Sequence, residues 1–197
     1  MSKYNTEKLR SLIAESNGLA SPNRFSVELP DVSGMTSPNA LSDVLAPVGM
    51  ENISILCTSA QIPGKQLNVM SREIGIGTKS VANGQVFTAV NLSFYLTNKY
   101  EIRKYFQYWM NCVVTQDEND AMYAGYYNNY VKDVTIHQLE RGNDTVADSV
   151  YSVTLVDAFP TQMELLQLNN QAQTTAMEMT VSLAYKTYKV LDKKQQT

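Results

Sequence analysis

The 197-residue sequence predicts a mainly β protein: an antiparallel sandwich or barrel-like domain with one packed helix, a short N-terminal helix and long loop arms. Three observations predict it. Met177, Met179, Val181, Leu183 and Tyr185 alternate strictly with Glu178, Thr180, Ser182, Ala184 and Lys186, the period-two signature of a half-buried strand. Over ten residues this strand spans roughly 34 Å. Val86–Leu96 repeats the pattern, with Val86, Val90, Leu92, Phe94 and Leu96 on one face. The period then switches: Ile102, Phe106, Trp109 or Met110, and Val113 recur every three or four residues, as on a helix.

The other elements follow in chain order. Thr6–Glu15 reads as a short helix, with Leu9, Leu12 and Ile13 on one side and Gly18 as its stop. Ser21-Pro22-Asn23 breaks the chain before a strand at Arg24–Leu29. Asp31–Met50, rich in small residues, reads as a long loop insertion with a weak helical turn at Ala40–Leu45. Ile53–Ile62 is a second strand, stopped by Pro63-Gly64. Lys65–Gly84 reads as a projecting hairpin or long loop, with Asn83-Gly84 as the turn signal. Asn98-Lys99-Tyr100-Glu101 has the form of a capping box opening the helix. Thr115–Asn129 is loop-like and carries Tyr123, Tyr126 and Tyr127, with Tyr130 just beyond it. Strands are expected at Tyr130–Leu139 and at Val150–Asp157, the latter ending in Phe159-Pro160, with a turn at Arg141–Asp144 between them. Residues 193–197 form a flexible polar tail. The whole chain reads as one domain, with residues 1–20 as an N-terminal arm, 31–50 as an insertion and 65–84 as a projection.

Composition excludes more than it selects. Charged residues are 18% of the chain, against about 25% in an average globular protein; a surface covered by partners and ordinary scatter both explain this. The net charge of −3 comes with no clustered basic face of the kind that sequence-specific nucleic-acid binding needs. No apolar leader and no run of about 20 apolar residues is visible, so a protein made and folded in a cytosol, without a membrane partner, is expected. Cys57 and Cys112 lack paired-ligand spacing and read as buried free thiols.

The usual catalytic constellations do not assemble. His137, the one histidine, sits on a strand opposite Val134 and Ile136 and reads as a surface or interface residue, not a triad member. Gly75-Ile76-Gly77-Thr78-Lys79-Ser80 is not a phosphate loop, because Thr78 separates glycine from lysine; it reads as a flexible loop. Asp117, Glu118 and Asp120 lack the spacing of a calcium loop. The tyrosine cluster has no interleaved cations and fits a protein contact better than stacked bases. The sequence therefore predicts no enzyme, no cofactor and no metal. A small enzyme or sugar-binding β-sandwich is the reading from another class.

Arg24-Phe25-Ser26-Val27, then Gln61-Ile62-Pro63-Gly64, then strand, helix and C-terminal strands form an ordered series. The helix Glu101–Val113 with Phe106 and Trp109, the segment Leu155–Thr161 with its aromatic-Pro-Thr turn, and Glu164-Leu165-Leu166-Gln167-Leu168 before the last strand complete it. Over roughly residues 21–190 this series resembles the tail tube proteins of contractile-tailed, T4-like bacteriophages. The 31–50 insertion and the N-terminal extension depart from the pattern.

The resemblance implies a structural subunit of a virion, assembled in the host cytoplasm. It would form homo-hexameric rings, stacked into a hollow conduit for genomic DNA that passes without sequence-specific binding. Strands of neighbouring subunits would close an inner barrel, and a projecting hairpin would dock on the adjacent ring. Tail sheath, baseplate or tube initiator, and tape measure protein would be its partners. A baseplate tube initiator and the inner tube of a phage-derived contractile injection system are the alternatives within this fold. On this basis Glu178, Thr180, Ser182 and Lys186 are candidates for the channel wall, with Asn91 and Ser93. Lys65, Asn68, Arg72, Lys79 and Asn83 lie on the candidate stacking arm. Lys99, Arg103 and Lys104 form a helix face that either meets the sheath or is simply solvated.

Overall fold

The computed structural model describes residues 6–15, 18–35, 53–75, 77–116, 119–140, 149–169 and 176–191. The expected helical turn at 40–45, the turn at 141–144 and the tail at 193–197 lie outside them.

Helix α1 (Thr6–Glu15) forms where the leucine spacing predicts it. Gly18, at φ 106°, donates its N–H to the Ile13 carbonyl at 2.8 Å and closes that end. Strand β1 (Phe25–Glu28) follows. The second predicted strand is shorter than its alternation suggests: a 3-10 turn (Ser54–Leu56) precedes β2 (Cys57–Ala60). The turn points Ile55 into solvent while Ile53 is buried.

β3 (Gln66–Ile74) and β4 (Gly77–Val86) pair along their length as a two-stranded hairpin. The chain reverses at Gly75, φ 66°, and not at Asn83-Gly84 as predicted. A two-residue connection needs a left-handed first residue, which glycine adopts without steric cost. Asn83 is instead the extra residue of a bulge: Asn68 pairs with Gly84 and Val69 with Ala82. The glycine-rich segment read as a flexible loop is therefore the hairpin tip and the start of β4.

β5 (Val90–Tyr95) buries Val90, Leu92 and Phe94, as the alternation requires. Val86 belongs to β4 and is exposed, so the predicted long strand is two strands. Helix α2 (Glu101–Val113) buries Ile102, Tyr105, Phe106, Tyr108, Trp109 and Cys112. Its cap differs from the expected box. Tyr100, left-handed at φ 55°, occupies the cap position without a side-chain bond, and its N–H turns back to Thr97.

The predicted loop after α2 is ordered. β6 (Val114–Gln116) and β7 (Met122–Ala124) pair, and α3 (Tyr127–Tyr130) adds one turn. Gly125 makes this close approach feasible. Its N–H donates to the Val113 carbonyl at 2.8 Å, and a Cβ there would collide with the Cys112 carbonyl.

β8 (Lys132–Leu139) precedes β9 (Ser149–Met163), which continues through Phe159-Pro160 instead of ending there. The proline is tolerated because Ser182 pairs with Gln162 and Leu183 with Pro160, leaving Thr161 as an unpaired bulge residue. β10 (Glu178–Ala184) is shorter than the predicted ten-residue strand, and β11 (Thr187–Leu191) follows it after a bend. β9 bends opposite it at Asp157, φ 54°, and Lys186 lies 3.6 Å from the Asp157 carboxylate across the two bends.

The sheet order is β1-β8-β9-β10-β5-β2, with β11 also on β9. The first half of β9 pairs with β8 and β11; its end pairs with β10. The bends thus fold one sheet into two leaves around a core. Val27, Val134, Ile136 and Leu155 come from one leaf, and Leu92, Phe94, Met179, Val181 and Leu183 from the other. Helix α2 fills the core: Phe106 sits 5.4 Å from Phe94 and stacks 6.4 Å from Trp109. Its polar tips are satisfied by backbone. Trp109 Nε1 donates to the Tyr130 carbonyl at 2.7 Å, Tyr105 to Pro30 and Tyr108 to Met35, both at 2.8 Å. Burial pushes the Tyr105 phenol well above its ordinary range, so it stays a donor.

Cys57 and Cys112 are free thiols. Burial pushes Cys57 up to about 11. Because only the thiolate reacts, the native protein at pH 8 should label at Cys57 about a hundredfold more slowly than an exposed cysteine. The rate should rise as pH climbs toward 11. Thiol-reagent kinetics before and after adding guanidinium check this; a fast native phase at pH 8 would contradict it.

Candidate assembly surfaces

The β5–β10 ladder sets Glu178 opposite Tyr95, Thr180 opposite Ser93 and Ser182 opposite Asn91. Side chains of one parity fill the core, so Asn91, Ser93, Glu178, Thr180 and Ser182 share the other face. They bond mainly to one another. Ser93 and Thr180 hydroxyls are 3.2 Å apart, and Ser182 Oγ donates to Asn91 Oδ1 at 2.7 Å. Gln61 Oε1 accepts the Asn91 N–H at 3.1 Å, and Thr161 donates to the Ser182 carbonyl at 3.1 Å. The sequence offers Gln61 and Thr161 only as parts of the family motifs, not as candidates for this face, because each stands close to a proline where a strand is expected to end. Lys186 does not join this ladder: the bend carries it to Asp157.

Helix α2 packs on the opposite, core side of the same leaf through Phe94. Its far side carries Lys104, exposed, and Arg103, half-buried; Lys99, also exposed, stands in the turn before the helix and not on it as predicted. Lys99 lies 4.0 Å from the Glu101 carboxylate; both are solvated, so that pair stabilises little. The polar ladder and the basic helix face therefore look in opposite directions from one core.

The β3–β4 hairpin is exposed along its described length. Asn68, Arg72, Lys79 and Asn83 lie on it, Lys65 just before it, and Arg72 and Lys79 are direct cross-strand partners. Its apolar side chains Leu67, Val69, Met70 and Val81 are also in solvent. A lone two-stranded hairpin is marginal in water.

His137 is a correction. It is 6% exposed, not a surface residue, because residues 20–25 and the exit of β2 fold over that side of β8. Ala20, Pro22, Phe25, Ala60 and Ile62 line a 290 Å³ pocket beside it. Its Nδ1 is 2.7 Å from Ser152 Oγ, and the Glu28 carboxylate lies 3.4 Å from Nε2. Carboxylate, imidazole and hydroxyl stand in the order of a hydrolase triad, but Ser152 is 4% exposed and its hydroxyl donates to Ser149. A buried, engaged hydroxyl cannot reach a substrate.

Among the described residues no group of three or more His, Cys, Asp or Glu is placed to hold a metal; Asp117 and Glu118 lie outside them. No described helix is long and apolar enough to cross a membrane. Tyr123, Tyr126 and Tyr127 are exposed, while Tyr130 packs edge-on against Phe159 at 5.4 Å.

Known structures share the fold. A chain of the anti-feeding prophage baseplate matches with a TM-score of 0.57 at 15% identity, covering 88% of this chain and 96% of that one. A chain of the anti-feeding prophage tube-terminating cap matches with 0.59 at 14%, covering 88% and 91%. A chain of the sheath–tube complex of the PVC extracellular contractile injection system, in its extended state, matches with 0.54 at 12%, covering 96% and 99%. At these identities the likeness speaks for the fold alone. No curated protein matches the sequence. The family model described as phage tail tube protein matches residues 20–191. The chain therefore belongs to the phage tail tube protein family and is a tube-type structural subunit, not an enzyme.

Proposed function

We propose that this protein forms rings of six that stack into the tube of a contractile phage tail, and that the tube conducts the genome. The observation that carries this reading is the placement of its surfaces. A self-bonded polar ladder faces away from the core, a basic helix face looks the other way, and an unsupported hairpin leaves one end. The ladder would line the channel, the helix face would meet the sheath and the hairpin would engage the next ring. The edges of β1, β2 and β11 each lack a partner strand among the described residues. Such edges invite pairing between chains, and a head-to-tail repeat that closes gives a ring. The related folds come from a sheath–tube complex, a baseplate and a cap, in keeping with sheath and baseplate or initiator partners; a tape measure protein would set tube length.

Negative-stain electron microscopy with light scattering on the purified protein tests the assembly. Six-fold rings or hollow tubes are expected; a monomer that persists with baseplate and tape measure proteins present would overturn the reading. The channel role has a separate test. Of the ladder's residues Asn91, Ser93, Thr180 and Ser182 are neutral and Glu178 is acidic, so phosphates find no cation there. Ser182→Lys should leave tubes intact and slow genome delivery; unchanged delivery through intact tubes would remove the ladder from the channel.

The likeness to injection-system folds supports a second reading, an inner tube that moves protein. Neighbouring genes separate the two: capsid and terminase genes for a phage, toxin and AAA+ genes for an injection device.

A further inference from the structure

The two ends of the β5–β10 leaf differ in chemistry. The hairpin leads into β5 at Val90, whereas Glu178 pairs with Tyr95 at the far end of that strand. At this far end the ladder continues past β9. The Glu164 N–H donates to the Thr180 carbonyl at 2.9 Å, one step beyond Met163 opposite Val181. Glu164 is thus on the face of Thr180 and Glu178 and is a diagonal neighbour of Glu178, a spacing of about 7–8 Å. Both carboxylates are exposed. Beside them Leu165 and Leu168 are 91% and 78% exposed.

The hairpin carries the complement on one face. Direct partners in an antiparallel pair project to the same side, so Met70 with Val81 and Arg72 with Lys79 form two successive rungs. Met70 is 50% and Val81 37% exposed. Two cations directly opposite one another weaken an isolated hairpin; an acidic acceptor removes that cost. Glu73 pairs with Thr78 on the other face, which leaves the Arg72 face purely basic.

We infer that the hairpin face bearing Met70, Val81, Arg72 and Lys79 docks on the Glu164–Leu168 and Glu178 end of a second copy of this chain. The apolar rung covers Leu165 and Leu168, and the basic rung meets Glu164 and Glu178. The opposite chemistry of the two ends makes the contact head-to-tail, so each copy offers one hairpin and receives one. This rests on the stacked-ring reading and names the surface that receives the arm.

A charge exchange tests it on the full-length protein. Arg72→Glu with Lys79→Glu should give folded rings that do not stack, and so should Glu164→Lys with Glu178→Lys. All four substitutions together should restore tubes, seen by negative stain, with circular dichroism confirming the fold of each. Tubes from either double variant at the wild-type level, or a fourfold variant that stops at rings, would overturn the inference and leave the ring reading standing. Failure of the wild-type chain to form rings with baseplate proteins present would overturn both. Crosslinking gives a check without charge reversal: Arg72→Cys and Glu178→Cys chains, mixed and oxidised, should yield a heterodimer absent from either alone.

Discussion

Removing residues 66–86 and closing the gap with a short Gly-Ser link should yield folded rings and no tubes. The expected effect is complete loss of stacking with little loss of stability, because none of the hairpin's described side chains is buried. Among the described residues its strands pair only with each other. On the stacked-ring reading, folding and stacking should therefore be separable. The melting temperature should stay within about 3 °C of the wild type, a change of about 1 kcal/mol for a domain of this size, since the described residues removed lie outside the core. Electron microscopy and thermal unfolding of the same preparation check both halves. Tubes of normal length after deletion would take the stacking role from the hairpin; a collapsed melting temperature would mean that the hairpin supports the core.

Trp109→Ala should have the opposite profile, destroying the fold before assembly can begin. Trp109 is fully buried between Tyr105 and Phe106, at 6.0 and 6.4 Å, and its indole N–H satisfies the Tyr130 carbonyl. Truncating a buried tryptophan costs about 3–5 kcal/mol, and the carbonyl left without its donor adds about 1 kcal/mol. For a domain of this size each kcal/mol lowers the melting temperature by about 2–4 °C, so a fall of about 10–15 °C is expected. Against a typical total stability of about 5–15 kcal/mol, much of the chain would aggregate instead of forming rings. Trp109→Phe keeps an aromatic ring in the site but loses the N–H and part of the ring volume, and should recover part of the stability. A fall below about 3 °C for the alanine variant would mean that the helix is not the centre of the core.

These two sites fared differently as sequence. Trp109 was legible because helical periodicity depends on which residues must leave water, and Ile102, Phe106 and Trp109 repeat at that spacing. The buried parities of β5 and β10 were legible for the same reason with period two. The hairpin was legible as a projection, but not its turn. Asn83-Gly84 and Gly75-Ile76 both satisfy local turn chemistry, and only the pairing of nine residues of β3 with β4 chooses between them.

Long-range contacts decided the rest. The strand through Pro160 exists because a bulge at Thr161 accommodates a residue without an N–H, and local rules alone end the strand there. His137 looked solvent-facing because alternation describes one sheet face, whereas residues 20–25 and the exit of β2 arrive from far along the chain to cover the other. Lys186 shares the parity of Glu178 in the sequence, yet the bend between β10 and β11 turns it toward Asp157. The sequence by itself determined the β class, the core parities, the single long helix and the family resemblance, since each depends on local periodicity or ordered motifs. Only the tertiary structure decided where the sheet bends, which polar residues bond into one ladder, and that the acidic end and the basic hairpin lie at opposite ends of β5. These depend on register between distant strands, and a shift of one residue would move every side chain to the other face.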